Sequence, residues 1–160
     1  MAWAATTTPR DVRRADGVVL SFLVEDNLVI YKADIVRINA AGYATSAVPT
    51  SGDMAAGIAL ETVDNTTTGH TQGGKKILVQ TEAVCRVFHN TDAAAAADVG
   101  AAAVCDGAAT GDAGAIETGT FADVGCICGT VVGLVYDPIT QVQDTSRVWI
   151  KLQTLQQIMA

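Results

Sequence analysis

The chain has 160 residues, 49% of them apolar and 17% charged, with a net charge of −7 and a pI near 4.5. This length and apolar share fit one domain with its own core and exclude a disordered chain. The acidic balance argues against direct nucleic-acid binding, which depends on Lys and Arg neutralising phosphates, and no stretch reaches the roughly 18–20 uninterrupted apolar residues of a membrane helix.

Residues 1–16 are polar and lack periodicity, so they read as an N-terminal arm. They contain no central apolar block, so no secretory signal is expected. Arg10, Arg13 and Arg14 stand against Asp11 alone, which leaves the first 14 residues at +2 and the remainder at −9. This asymmetry suits an arm that meets an acidic neighbour, or a solvated basic tail.

Period-2 alternation then dominates. "VVLSFLVED" from Val18 and "NLVIYKADIVRIN" from Asn27 are rich in β-branched and aromatic residues. In "KKILVQTEAVCRVFH", Ile77, Val79, Ala83, Cys85 and Val87 share one face, and Gln80, Glu82, Arg86 and Phe88 share the other. Turn signals separate the runs, among them Asp16-Gly17, Asp26-Asn27, Ala41-Gly42, Gly73-Gly74 and Asp106-Gly107. In "NTDAAAAADVG", Thr91 is a candidate N-cap and Gly100 a stop, which predicts one short helix. The Gly- and Ala-rich stretch that follows predicts thin strands and loops. In "SRVWIKL", Val148, Ile150 and Leu152 alternate with Arg147, Trp149 and Lys151. Residues 153–160 form a C-terminal tail, with Leu155 and Ile158 continuing a three-residue spacing from Leu152. The prediction is a mainly β, single-domain sandwich or barrel over residues 17–152, with one short helix and extended terminal arms.

Few motifs point to chemistry. Gly69 to Lys75 reads G-x-x-x-x-G-K, most of a phosphate-binding loop. That motif needs a Ser or Thr after its lysine and a helix immediately behind it. Here Lys76 follows, and "KKILVQTE" alternates as a strand, so no nucleotide cofactor is expected. Cys126-x-Cys128 and Cys85-x-x-x-His89 lack the paired knuckles of structural zinc, so no metal is expected either. The four cysteines read as reduced, half-buried small hydrophobes. Asp53, Glu61 and Asp64 approach one another if a hairpin brings them together, as a pair of hydrolytic carboxylates must. No G-x-S-x-G elbow occurs, and the reading is of a protein without catalytic residues.

One long stretch carries a resemblance. Ala33-Asp34-Ile35-Val36-Arg37-Ile38-Asn39 with Gly42 is followed by Ala56-Gly57-Ile58-Ala59-Leu60-Glu61 and Asp64-Asn65. Then come Lys76 to Thr81, Asp98-Val99-Gly100 with Val104, Val124-Gly125-Cys126-Ile127-Cys128-Gly129, and Val148 to Leu152. In this order the motifs resemble the head decoration, or capsid cement, proteins of tailed bacteriophages, over roughly residues 18–152. Ala33 departs from the pattern, which commonly has glycine there. The resemblance implies a non-enzymatic virion protein, made in the host cytoplasm, on the outer surface of an icosahedral head. Its implied partners are the major capsid protein and its own copies, commonly as a homotrimer. In that setting the arm is the expected contact, with Trp3 as an anchor and Arg10, Arg13 and Arg14 pairing with carboxylates. The alternative is a host- or carbohydrate-binding appendage, with the Thr-rich stretch "DNTTTGHTQ" as its receptor face.

Overall fold

A computed structural model describes residues 18–47, 53–89, 94–105, 115–118 and 127–152. The first half of the chain supplies β1 (Val19–Leu23), β2 (Val29–Ile30), β3 (Ile35–Ile38), β4 (Ala44–Thr45), β5 (Met54–Ala59), β6 (Val63–Asp64) and β7 (Lys76–Gln80). The second half supplies β8 (Val84–His89), a 3-10 turn η1 (Ala96–Asp98), β9 (Ala102–Cys105), β10 (Ala115–Thr118), β11 (Ile127–Tyr136) and β12 (Gln143–Leu152). The architecture is mainly β, as the alternation predicts.

Five strands form an antiparallel sheet in the order β1-β7-β5-β3-β4. A parallel bridge between Val24 and Ala44 bends its two ends toward each other. A second group closes into a barrel in the order β10-β8-β12-β11-β9. The β2–β6 ribbon is hydrogen-bonded to neither. Two cores result. One joins Ile35 and Ile58 of the first sheet to the barrel interior, including Cys85, Val87, Ile116, Val131, Val148 and Ile150. The other gathers Val24, Val36, Ile38, Ile77 and Val79 on the opposite face, with Ile30 and Val63 of the ribbon against it. Both β3 and β5 are therefore covered on two faces. This explains why "IVRI" and "MAAGIA" are nearly continuous apolar runs rather than alternating ones.

The crowding between β5 and β7 selects a glycine. A bulge between β3 and β5 sets Val36 opposite Gly57 and Arg37 opposite Ala55. Gly57 has φ +149°, and a Cβ there would sit 2.0 Å from the Gln80 carbonyl oxygen. Only glycine fits so close a backbone approach.

Two expectations are corrected. The run from Lys76 to His89 is not one strand with one apolar face. Residues 81–83 carry the chain from the sheet to the barrel, so Ile77 and Val79 enter one core while Cys85 and Val87 enter the other. Gln80, expected on the polar face, is buried, because its side of β7 at Ile58 is the side that meets the barrel. It donates from Nε2 to the Glu82 carbonyl at 2.7 Å. The helix is also shorter than predicted: the described part is the single turn η1, and Thr91 lies outside the described residues. Ala95 is already extended, at φ −128° and ψ 165°, and no residue of the turn is buried. An alanine run has no apolar face to pack, so nothing offsets the cost of helix nucleation. Asp98 instead closes the turn, its Oδ2 accepting from the Ala95 N–H at 2.7 Å.

Candidate functional site

Trp3, Arg10, Arg13 and Arg14 lie outside the described residues, as do the arm, the tail and Cys126. The remaining sequence candidates are placed, and most serve the fold.

In the glycine-rich loop, Lys76 opens β7, so a strand follows the lysine pair. Asn65 organises this loop from a buried position. Its Nδ2 donates to the carbonyls of Glu25 at 2.9 Å and Thr71 at 3.0 Å. Around it, the Asp26 N–H donates to Gln72 Oε1 at 2.9 Å, and His70 Nδ1 lies 2.5 Å from Asp26 Oδ1. The loop is thus fastened onto the β1–β2 turn.

The carboxylates Asp53, Glu61 and Asp64 each have partners of their own. Asp53 is buried, with Oδ2 3.5 Å from Arg37 Nε, and Arg37 also donates through Nη2 to the Ala47 carbonyl. Glu61 Oε1 accepts from the Leu78 N–H at 3.0 Å. Asp64 Oδ1 accepts from the hydroxyl and N–H of Thr66 at 2.6 and 2.8 Å, which holds its carboxyl below the ordinary value. Cys85, Cys105 and Cys128 are fully buried in the barrel core rather than half-buried. Among the described residues, no three His, Cys, Asp or Glu side chains gather as a metal site.

Among the described residues, two places stand out as contact area. The first is the tip of the β11–β12 hairpin. Ile139 is 90% exposed, Val142 is 64% and Tyr136 is 51%. The backbone that carries these apolar side chains is held by its own hydrogen bonds. Asp137 Oδ1 accepts from the N–H groups of Thr140 at 2.7 Å and Ile139 at 2.8 Å. Those bonds, that from Thr140 foremost, hold the Asp137 carboxyl below its ordinary value. The Asp137 N–H donates to the Val142 carbonyl and its own carbonyl accepts from Gln141, both at 2.9 Å. Behind the tip, Arg147 Nη1 pairs with Asp144 Oδ2 at 3.5 Å and its guanidinium lies 4.7 Å from the centre of the Phe88 ring. The tip is a preorganised apolar knob. Its signal in the sequence was Asp137-Pro138, a turn starter, followed by apolar residues that no core claims.

The second place is β1. The Val18 carbonyl accepts from the N–H and hydroxyl of Thr81 at 2.8 and 2.9 Å, and the Val24 N–H donates to the Lys75 carbonyl at 2.9 Å. Bonding direction alternates along an antiparallel strand. Even-numbered residues of β1 therefore turn their backbone groups toward β7, and Val19 and Ser21 turn theirs outward. Among the described residues, β7 is the one strand that pairs with β1. The exposed Val18, Val19, Leu20 and Leu23 flank this open edge on both faces.

No protein-family model, curated protein or solved structure matches this chain.

Proposed function

We propose that this protein is a structural decoration protein of a virus head, binding the outer surface of the capsid and holding neighbouring major capsid subunits together. The observation that carries the reading is the β11–β12 tip: a hairpin end that is internally bonded and presents Ile139, Val142 and Tyr136 to solvent. A knob ordered before binding loses little entropy on docking. Its apolar side chains gain most in a pocket between two capsid subunits. The ordered series of motifs from Ala33 to Leu152, similar to that of phage decoration proteins, names the kind of partner. The role works by mass action, since a ligand of the assembled shell that does not bind separated subunits stabilises the shell. Many weak copies, joined as trimers, add their effects. No bond is made or broken in such a role.

The test is co-sedimentation of the purified protein with heads stripped of it, alongside a glycan array. Saturable binding to heads that is weakened by Ile139→Asp supports the reading. Glycan retention without head binding would replace it with a host-binding appendage.

A further inference from the structure

We propose that the open edge of β1 accepts the N-terminal segment of a second copy of this chain, residues 3–8 of one copy adding a strand along residues 19–21 of the next. Among the described residues, no strand covers this edge. Natural edge strands are usually blunted by charge, proline or a bulge. "VVLSFL" from Val18 to Leu23 has neither a charged residue nor proline, and β1 pairs with β7 in an unbroken register. The outward backbone groups of Val19 and Ser21 give an incoming strand its hydrogen bonds, and exposed Val19 and Leu20 give it apolar contact on either face.

The occupant follows from the chain that leads into β1. Seventeen residues precede Val18. Their nearest turn signal, Asp16-Gly17, closes a two-residue hairpin by exchanging bonds between the residues on either side of it, Ala15 and Val18. Val18 has already turned its carbonyl to Thr81, away from the open edge. A tight return of the chain onto its own β1 is therefore out of phase. The segment "WAATTT" from Trp3 to Thr8 ends at Pro9 and suits a short added strand, with three β-branched threonines and a large aromatic anchor. The nine residues from Pro9 to Gly17 extend up to about 30 Å, far enough to reach a neighbour. Charge also favours the exchange modestly, because this linker sets Arg10, Arg13 and Arg14 against Asp11 and Asp16, a net +1, while β1 leads into Glu25 and Asp26. Arm and edge are different surfaces, so the contact is head-to-tail, which gives a ring where the rotation closes and a longer chain of copies where it does not.

The inference concerns the free protein, so its failure leaves the capsid reading untouched. The experiment is sedimentation equilibrium on the full chain, with two variants. In Ala5→Pro/Thr7→Pro the arm loses strand donors. In Ser21→Pro the edge loses an outward N–H, at a position where an edge strand tolerates proline; Val19→Lys is a second edge variant, and circular dichroism checks that each is folded. The expected result is a mass that is a multiple of 16.5 kDa for the wild type and 16.5 kDa for each variant alone. Mixing the arm variant with an edge variant should restore a two-copy complex, since one intact edge then meets one intact arm. A wild type that stays at 16.5 kDa at all concentrations overturns the proposal. So do variants that associate like the wild type, and so does a mixture that stays monomeric.

Discussion

Replacing Gly57 by alanine tests the packing of β5 against β7 directly. The new Cβ would lie 2.0 Å from the Gln80 oxygen, 2.8 Å from its carbonyl carbon and 3.0 Å from the Thr81 Cα. All three are backbone atoms, so no side chain can swing aside. Moving the carbonyl to a contact distance breaks the alignment of Ile58 with Gln80, beside the junction of the two cores. The φ of +149° adds strain of order 1–3 kcal/mol for a residue with a Cβ. With the lost pairing, the cost is about 3 kcal/mol or more, a large part of the roughly 5–15 kcal/mol that holds a domain folded. At about 2–4 °C per kcal/mol for a chain of this size, Tm falls by roughly 6–12 °C. Gly42→Ala is the control: φ is +88°, but nothing lies within 4 Å of the added Cβ. It carries the backbone strain without the collision and should cost about 1–2 kcal/mol. Thermal or urea unfolding of both variants reads the difference. Equal losses, or a fall of less than about 2 °C for Gly57→Ala, would refute the close-approach argument.

Other outcomes follow from the same structure. Asp53→Ala leaves Arg37 buried beside a lost partner and should cost about 3–5 kcal/mol in urea unfolding, while Arg37→Met/Asp53→Leu should recover much of that loss. Ala33 has φ +79°, in the left-handed region. Ala33→Gly relieves about 1–2 kcal/mol of left-handed strain but gives up a buried methyl and adds freedom to the unfolded chain, so the net change in unfolding free energy should stay within about 1 kcal/mol. Ile139→Asp should leave Tm unchanged while weakening head binding roughly 10- to 100-fold, the loss of about 1.5–3 kcal/mol for an isoleucine that is buried only in the complex; unchanged affinity would remove the tip from the interface. The Asp137 carboxyl is held below its ordinary value by its bonds from Thr140 and Ile139. The order it gives the tip is therefore complete above the ordinary carboxylate range and is lost as pH falls through the lowered value. Protection of the Ile139 and Thr140 amides, measured against the intrinsic exchange rate at each pH, should fall there in the wild type, and Asp137→Ala should lack that protection at every pH.

The sequence by itself determined the class of structure. Alternation in "SRVWIKL" separated Val148, Ile150 and Leu152 from Arg147, Trp149 and Lys151, and the buried and less buried residues of β12 follow that division. It also showed that Lys76 begins a strand, because a period of two leaves no room for a helix behind the glycines. The sequence could not assign strands to sheets. A period of two says which residues share a face, not which other surface that face will meet. The turn of the chain at residues 81–83, the burial of Gln80 and the double covering of β5 depend on where the barrel sits against the sheet. The exposure of β1 and of the hairpin tip is decided in the same way. Val19 and Ile139 are as apolar as the residues of either core, and only the position of the other strands leaves them in water.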